Sequence, residues 1–175
     1  MDYYTWQNLT WIIFHKITLI CDPKYINKYR IFFNSFKFII PCSICRNHYC
    51  EMLDNTLPFE KNKNNIFNWT IDLHNKVNER LNKRIWNYDE ARRHYNNFFL
   101  SPNLLKQFLF DYIKYNFKKG PIKTDNLLNM ITNIIYLFPR KKLRENLIHF
   151  NERFILTRDN FKKWITAFIL LIKKN

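Results

Sequence analysis

Glycine is almost absent: the 175-residue chain has one, Gly120. Phosphate-cradling loops of the dinucleotide-binding or Walker type need several residues without a Cβ, so neither can be present. The same shortage argues against a turn-rich β architecture, and any nucleotide or flavin bound here must be held by helices. Long apolar runs are lacking too. The longest, "WITAFILLI" at 164–172, is nine residues between lysine pairs, whereas a bilayer span needs about 20. No membrane span is expected. The first residues, "MDYYTWQNLTWIIFHKI", show neither a basic leader region nor a small-residue cleavage site, so a secretory signal is not expected and the cytoplasm is the expected compartment. Acidic residues are scarce, 14 against 29 Lys and Arg, for a net charge of +15. That balance attracts anions. However, Asn, Lys, Ile, Phe and Tyr are over-used together, as in an A/T-biased coding sequence, which weakens the charge as a functional signal. A metal is not expected either, for reasons that lie in the cysteines.

What is present is apolar and helical. Hydrophobic residues make up 47% and aromatics 18%, enough to build a core without staples. Trp6, Leu9, Ile13 and Ile17 form one stripe of a first helix ending near Cys21-Asp22-Pro23. A second is expected over 24–38, a third from Cys42, a fourth over 63–83 with Ile66, Leu73, Val77 and Leu81 inward, and a short fifth over 89–98. "SPN" at 101–103 reads as an N-cap serine with proline at the first helical position. It opens a second block, with helices near 102–118, 124–138, 141–154 and 158–173 and breaks at Gly120-Pro121 and Pro139. The expectation is an all-α protein: a four-helix bundle with a short fifth helix over 1–99, then a helical C-terminal domain over 100–175. The first part carries 14 basic and 9 acidic residues and the second 15 and 5, so the net charges are +5 (14 − 9) and +10 (15 − 5). No internal repeat is evident in the letters.

Three of the four cysteines lie within "IIPCSICRNHYCEML", residues 39–53. A zinc site usually joins two knuckles well apart in sequence. Here Cys42, Cys45, His48 and Cys50 share one helix, where about 100° per residue aims them apart. Buried cysteines acting as small hydrophobes suit Cys21 and Cys50. They suit the pair poorly: Pro41-Cys42-x-x-Cys45 puts one sulfur at a helix N-terminus, where unpaired N–H groups favour a thiolate, and the second one turn on. That is the arrangement that thiol–disulfide exchange requires. A thioredoxin-like fold needs a βαβ unit, and no strand is expected before Pro41. The dithiol therefore sits in a helical domain and needs another electron acceptor.

A second motif, "WTIDLHNKVNERLNK" at 69–83, puts His74, Asn78 and Leu81 on one helical face. In isolation this is a polar helix face in an Asn-rich chain, as His15 in isolation is a core histidine and Trp11 and Trp69 are core aromatics. Together the motifs resemble the Erv/ALR family of FAD-linked sulfhydryl oxidases. Trp11-Ile-Ile-Phe14-His15, Pro41-Cys42-Ser-Ile-Cys45-Arg-Asn-His48-Tyr49 and Trp69-Thr-Ile71-Asp-Leu-His74-Asn75-Lys-Val77-Asn78-Glu-Arg-Leu81-Asn-Lys83 follow its order and spacing. Ile71 and Tyr88 stand where the family usually has a structural disulfide, and no separate shuttle pair exists unless Cys21 and Cys50 serve. The compact form is similar to the virus-encoded members.

The resemblance implies an enzyme with FAD cradled by four helices, contacted by Trp11, His15, Tyr49, His74, Asn75, Val77, Asn78, Leu81, Lys83 and Tyr95. It implies Cys42 as the exchanging cysteine and Cys45 as the flavin-proximal one. Electrons would pass from a protein dithiol, or a thioredoxin-like disulfide carrier, to O₂ with release of H₂O₂. It further implies a homodimer and, for a viral protein, action in the host cytoplasm or virion. The reading from another class is a non-enzymatic basic helical module gripping nucleic acid or an anionic surface through its +10 tail, with structural cysteines.

Overall fold

The computed structural model describes residues 5–54, 63–117, 120–138 and 140–174. Among these the chain is helical and contains no strand. In chain order the helices are α1 (Trp6–Leu19), α2 (Ile26–Ile39), α3 (Ser43–Asp54), α4 (Lys63–Arg80), α5 (Tyr88–Asn97), α6 (Pro102–Asn116), α7 (Pro121–Ile134), α8 (Lys141–Arg153) and α9 (Phe161–Lys174). Short 3-10 turns precede α2 at Pro23–Tyr25 and follow α7 at Ile135–Leu137. The expected break at Pro139 lies outside the described residues.

Local chemistry sets the helix ends. The Thr5 hydroxyl accepts the Asn8 N–H to start α1, and Ser101 accepts the Leu104 N–H to start α6 with Pro102 at the first position. Asn87 does the same for α5 through Asp89 N–H. α4 stops at Arg80, because Asn82 takes a left-handed conformation (φ 51°) and the Lys83 N–H returns to the Asn78 carbonyl at 2.7 Å. The fourth helix is therefore shorter than its periodicity suggests. Leu81 falls beyond its end, exposed rather than inward.

The core is continuous. Phe14, Phe32, Phe33 and Phe36 are sealed from solvent at the centre of α1 and α2, and Phe36 packs edge-on to Tyr112 of α6 at 5.3 Å. α2 runs along α7 in the most extensive helix–helix contact of the described residues, and α1 packs on α6. One hydrophobic cluster thus extends from Leu9 to Ile172, across the position where the composition changes. Burying aromatic side chains of this size contributes about 1.5–3 kcal/mol each; of the α2 aromatics Tyr29, Phe32, Phe33 and Phe36 are core, and Phe38 is exposed. A smaller cluster of Ile12, Phe67, Ile71, Ala91 and Tyr95 joins α1, α4 and α5. Ile71, one of the positions that departs from the family pattern, is fully enclosed there. Tyr88, the other, is exposed and donates its hydroxyl to Asp72 at 2.6 Å. Packing and a hydrogen bond therefore tie α4 to α5 where a disulfide would otherwise do so.

Candidate active site

Cys42 and Cys45 are joined as a disulfide, with Cα atoms 5.2 Å apart. Pro41 ends the chain's approach from α2, and α3 starts immediately after Cys42. The Cys45 N–H donates to Cys42 Sγ at 3.1 Å, so the sulfur occupies the position of an N-cap acceptor. Such a donor and the aligned helix dipole stabilise charge on that sulfur when the bond opens. Both cysteines are half-buried, and Cys45 packs against the main core. Arg46 fixes the approach by donating to the Ile40 carbonyl at 2.9 Å.

Tyr49, one turn beyond Cys45, is buried and donates its hydroxyl to the Phe33 carbonyl at 2.9 Å. Its ring lies 6.3 Å from Phe14, which meets Trp11 edge-on at 5.8 Å. Trp11 in turn stacks on His74 with ring centres 4.3 Å apart and planes 5° from parallel. Both rings keep some exposed surface. His15 lies behind them, fully buried, with Tyr95 at 4.5 Å.

The imidazoles form a hydrogen-bonded chain. His15 Nε2 and His74 Nδ1 are 3.0 Å apart, and His15 Nδ1 is 3.0 Å from Thr70 Oγ1. The Thr70 hydroxyl donates to the Phe67 carbonyl at 2.8 Å. With that proton committed, Thr70 oxygen accepts, so His15 carries its proton on Nδ1 and accepts at Nε2 from His74 Nδ1–H. His74 Nε2 is left as a bare acceptor. Burial pushes the His15 imidazole well below its usual range, and the neighbouring His74 and His94 push it the same way. Burial, aided by the Lys83 charge, lowers His74 to about 4. Both rings are neutral at physiological pH.

The two asparagines hydrogen-bond to the loop that follows α4. Asn75 donates to the Trp86 carbonyl at 2.9 Å and accepts the Trp86 N–H at 2.8 Å. Asn78 donates to the Arg84 carbonyl at 3.0 Å. Their amides fold the 81–87 loop back onto α4 and so place Trp86 beside Tyr95 and His94. Val77 is partly buried on the main core, and Lys83 is exposed on the loop. Thr70, Trp86 and His94 belong to this assembly and were missed from sequence. The position of Thr70, one helical turn before His74, was the available signal for the first; nothing local marked the others.

Neither Cys21 nor Cys50 is in a disulfide. Cys21 lies against the Tyr29 hydroxyl and Cys50 is 3.9 Å from the Lys37 carbonyl. Those anchors are eight residues apart on α2, about 12 Å along its axis, too far for a disulfide between them. Among the described residues no cluster of three His, Cys, Asp or Glu could hold a metal ion, and no helix is long and apolar enough to cross a membrane.

A sequence profile of the Erv1/Alr family matches residues 8–96, just over half of the chain and the whole of the segment that carries these groups. The chain belongs to that family. It is 34% identical over 94 residues to a probable FAD-linked sulfhydryl oxidase of Acanthamoeba polyphaga mimivirus, covering 49% of this chain and 65% of that protein. It is 30% identical over 94 residues to the FAD-linked sulfhydryl oxidase of an African swine fever virus isolate from Kenya, covering 51% of this chain and 79% of that protein. The match therefore spans just under two thirds of the mimivirus relative. No solved structure matches.

The donor set fits the flavin named for those relatives. A flat, neutral, partly exposed Trp11–His74 pair offers stacking surface, and the bare His74 Nε2 can accept from a ring N–H or a hydroxyl. Lys83 adds a cation suited to phosphate.

Proposed function

We propose that this Erv1/Alr family member is an FAD-dependent sulfhydryl oxidase that forms disulfide bonds in protein thiols. The observation that carries the reading is the Cys42–Cys45 disulfide at the head of α3, inside the matched segment and one turn from the aromatic path to His74.

A substrate thiolate attacks Cys42 Sγ, the sulfur nearer the open end of α3. The Cys42–Cys45 bond breaks, a mixed disulfide forms, and Cys45 leaves as a thiolate. The second substrate thiol attacks the substrate sulfur of that mixed disulfide and expels Cys42 as a thiolate, stabilised by the Cys45 N–H and the helix start. The substrate is now oxidised by two electrons, and Cys42 and Cys45 hold them as a dithiol. FAD, when bound, would supply the two-electron re-oxidation of the pair, with O₂ as final acceptor and H₂O₂ as product. Trp11, His15, Tyr49, His74, Val77, Lys83 and Tyr95 would hold and orient it. Asn75 and Asn78 act by holding the 81–87 loop, and Leu81, exposed on that loop, covers its edge. The virus-encoded relatives support action in a host cytoplasm or virion on a protein dithiol or a thioredoxin-like carrier. A basic nucleic-acid module is not favoured, because the tail's apolar residues are committed to the common core.

The test is Cys45→Ala. The purified variant is expected to keep its yellow flavin spectrum and to lose dithiol-dependent oxygen consumption. Full turnover without Cys45 would falsify the assignment.

A further inference from the structure

The second helical block repeats the first. The register shows once the structure supplies the helices: Pro41 and Pro139 are 98 positions apart (139 − 41), as are the starts of α3 at Ser43 and α8 at Lys141, and of α4 at Lys63 and α9 at Phe161. Buried positions keep the register. Phe32, Phe33 and Phe36 of α2 correspond to Met130, Ile131 and Ile134 of α7, and Ile66, Phe67 and Ile71 of α4 to Trp164, Ile165 and Ile169 of α9. For α1 and α6 the shift is 96 (101 − 5), from the equivalent caps Thr5 and Ser101, each accepting the N–H three residues on. The shift rises to 98 by the buried positions of α7, so the second block has two more residues between its cap and those positions.

One hydrogen bond makes the correspondence hard to attribute to generic helix packing. Arg46 Nη1 donates to the Ile40 carbonyl at 2.9 Å, and Arg144 Nη1 donates to the Phe138 carbonyl at 3.0 Å. Both pairs span six residues and sit at equivalent places, each carbonyl belonging to the residue before a proline. The same side-chain lock serves the same junction in both blocks. Helix neighbours also match: α1 meets α4 as α6 meets α9, and α2 meets α3 as the turn after α7 meets α8.

The chemistry does not repeat. Arg140 and Leu143 occupy the places of Cys42 and Cys45. Trp11, His15 and His74 become Gln107, Asp111 and Ile172, and Thr70 becomes Phe168. Phe168 and Ile172 are sealed in apolar packing where the first block has its imidazole chain.

The contact between the blocks pairs each helix with its own counterpart, α2 with α7 and α1 with α6. Like-on-like pairing is the signature of an isologous two-fold interface. Arg144 reinforces it, ion-paired with Asp22 at 3.1 Å and placed over the Tyr25 ring.

We propose that residues 101–174 are a second, chemically silent copy of the α1–α4 unit, fused in the same chain and seated on the α1/α2 face as a second subunit would be. The protein is then a monomer with one redox centre, in place of the homodimer that the family resemblance implied. The count of redox centres rests on the sulfhydryl-oxidase reading; the state of association does not.

The test is the mass of the purified full chain by light scattering after gel filtration, over the micromolar range, with hydrogen exchange on the same sample. The expected mass is one chain, 21.8 kDa, independent of concentration, with α7 amides as protected as those of α2. Twice that mass at micromolar concentration would overturn the proposal. So would an α7 exchanging far faster than α2, which would mean that the blocks do not share an interface. A colourless monomer would leave this inference standing and remove the flavin reading instead.

Discussion

Acidification should destabilise this protein well above the range in which carboxylates titrate. His74 is held at about 4 by burial and the Lys83 charge, whereas an imidazole in the unfolded chain titrates near 6.5. Its folded value is depressed, so its contribution is complete above about pH 6.5 and is lost as pH falls toward 4, where the loss saturates. At pH 5 the unfolded ring is almost fully protonated and the folded ring almost fully neutral. The stability lost relative to pH 7.5 is about 2 kcal/mol for this one group. For a chain of this size that corresponds to a fall in Tm of about 4–8 °C. His15, buried and depressed further, adds in the same direction. Carboxylates with ordinary values contribute little above pH 5. The assay is thermal unfolding by circular dichroism at pH 7.5, 6.5, 5.5 and 5.0 at constant ionic strength, on wild type and His74→Gln. The variant keeps a polar group but cannot charge, so its Tm should fall less. A flat wild-type profile, or a variant as steep as wild type, would refute the account of neutral buried imidazoles.

Thr70→Val should cost about 1–3 kcal/mol, because it strands the His15 Nδ1–H in a dry site; Thr70→Ser should recover most of that in a urea titration. Ile71→Ala should cost about 2–5 kcal/mol, since a fully enclosed side chain leaves a cavity among Ile12, Phe67, Ala91 and Tyr95, and a loss near zero would mean that the α4–α5 junction is not held by packing. Arg46→Met and Arg144→Met should both lower the urea midpoint. Only the first should reduce turnover per folded molecule, because only it adjoins the disulfide.

Much of the architecture was legible in the letters because helix signals are local. The Ser101-Pro102 cap and the apolar spacing of α1, α2 and α6 predict those helices nearly to the residue. The end of α4 was not legible. Val77 and Leu81 keep the period, but the asparagine-rich loop offers the backbone a better set of partners, and Asn82 turns the chain away. The nearness of Cys42 and Cys45 was legible from spacing alone, since Pro-Cys-x-x-Cys constrains both sulfurs. The imidazole chain was not, because His15 and His74 are 59 residues apart and their meeting depends on how α1 crosses α4. Asn75 and Asn78 were correctly placed on the site's helix, but the face of a helix does not reveal which neighbour claims an amide.

The repeat is not legible in the letters because what the halves share is physical rather than literal. A core position needs an apolar side chain of suitable volume, so Phe32 and Met130, or Ile66 and Trp164, serve equally while sharing no letter. The arginine lock is different. Its donor must reach a carbonyl six residues back, and a guanidinium does this while its stem lies along the helix. It was kept as Arg46 and Arg144. The cysteine pair and the imidazole chain have no counterpart in the second block. An exposed Arg140 stands there in place of one cysteine, and buried Leu143 and Ile172 stand in place of the other and of the His74 imidazole. Unequal retention of this kind separates positions that the bundle's packing requires from those it does not, and Cys42, Cys45, His15 and His74, which the proposed reaction uses, have no counterpart in the second block.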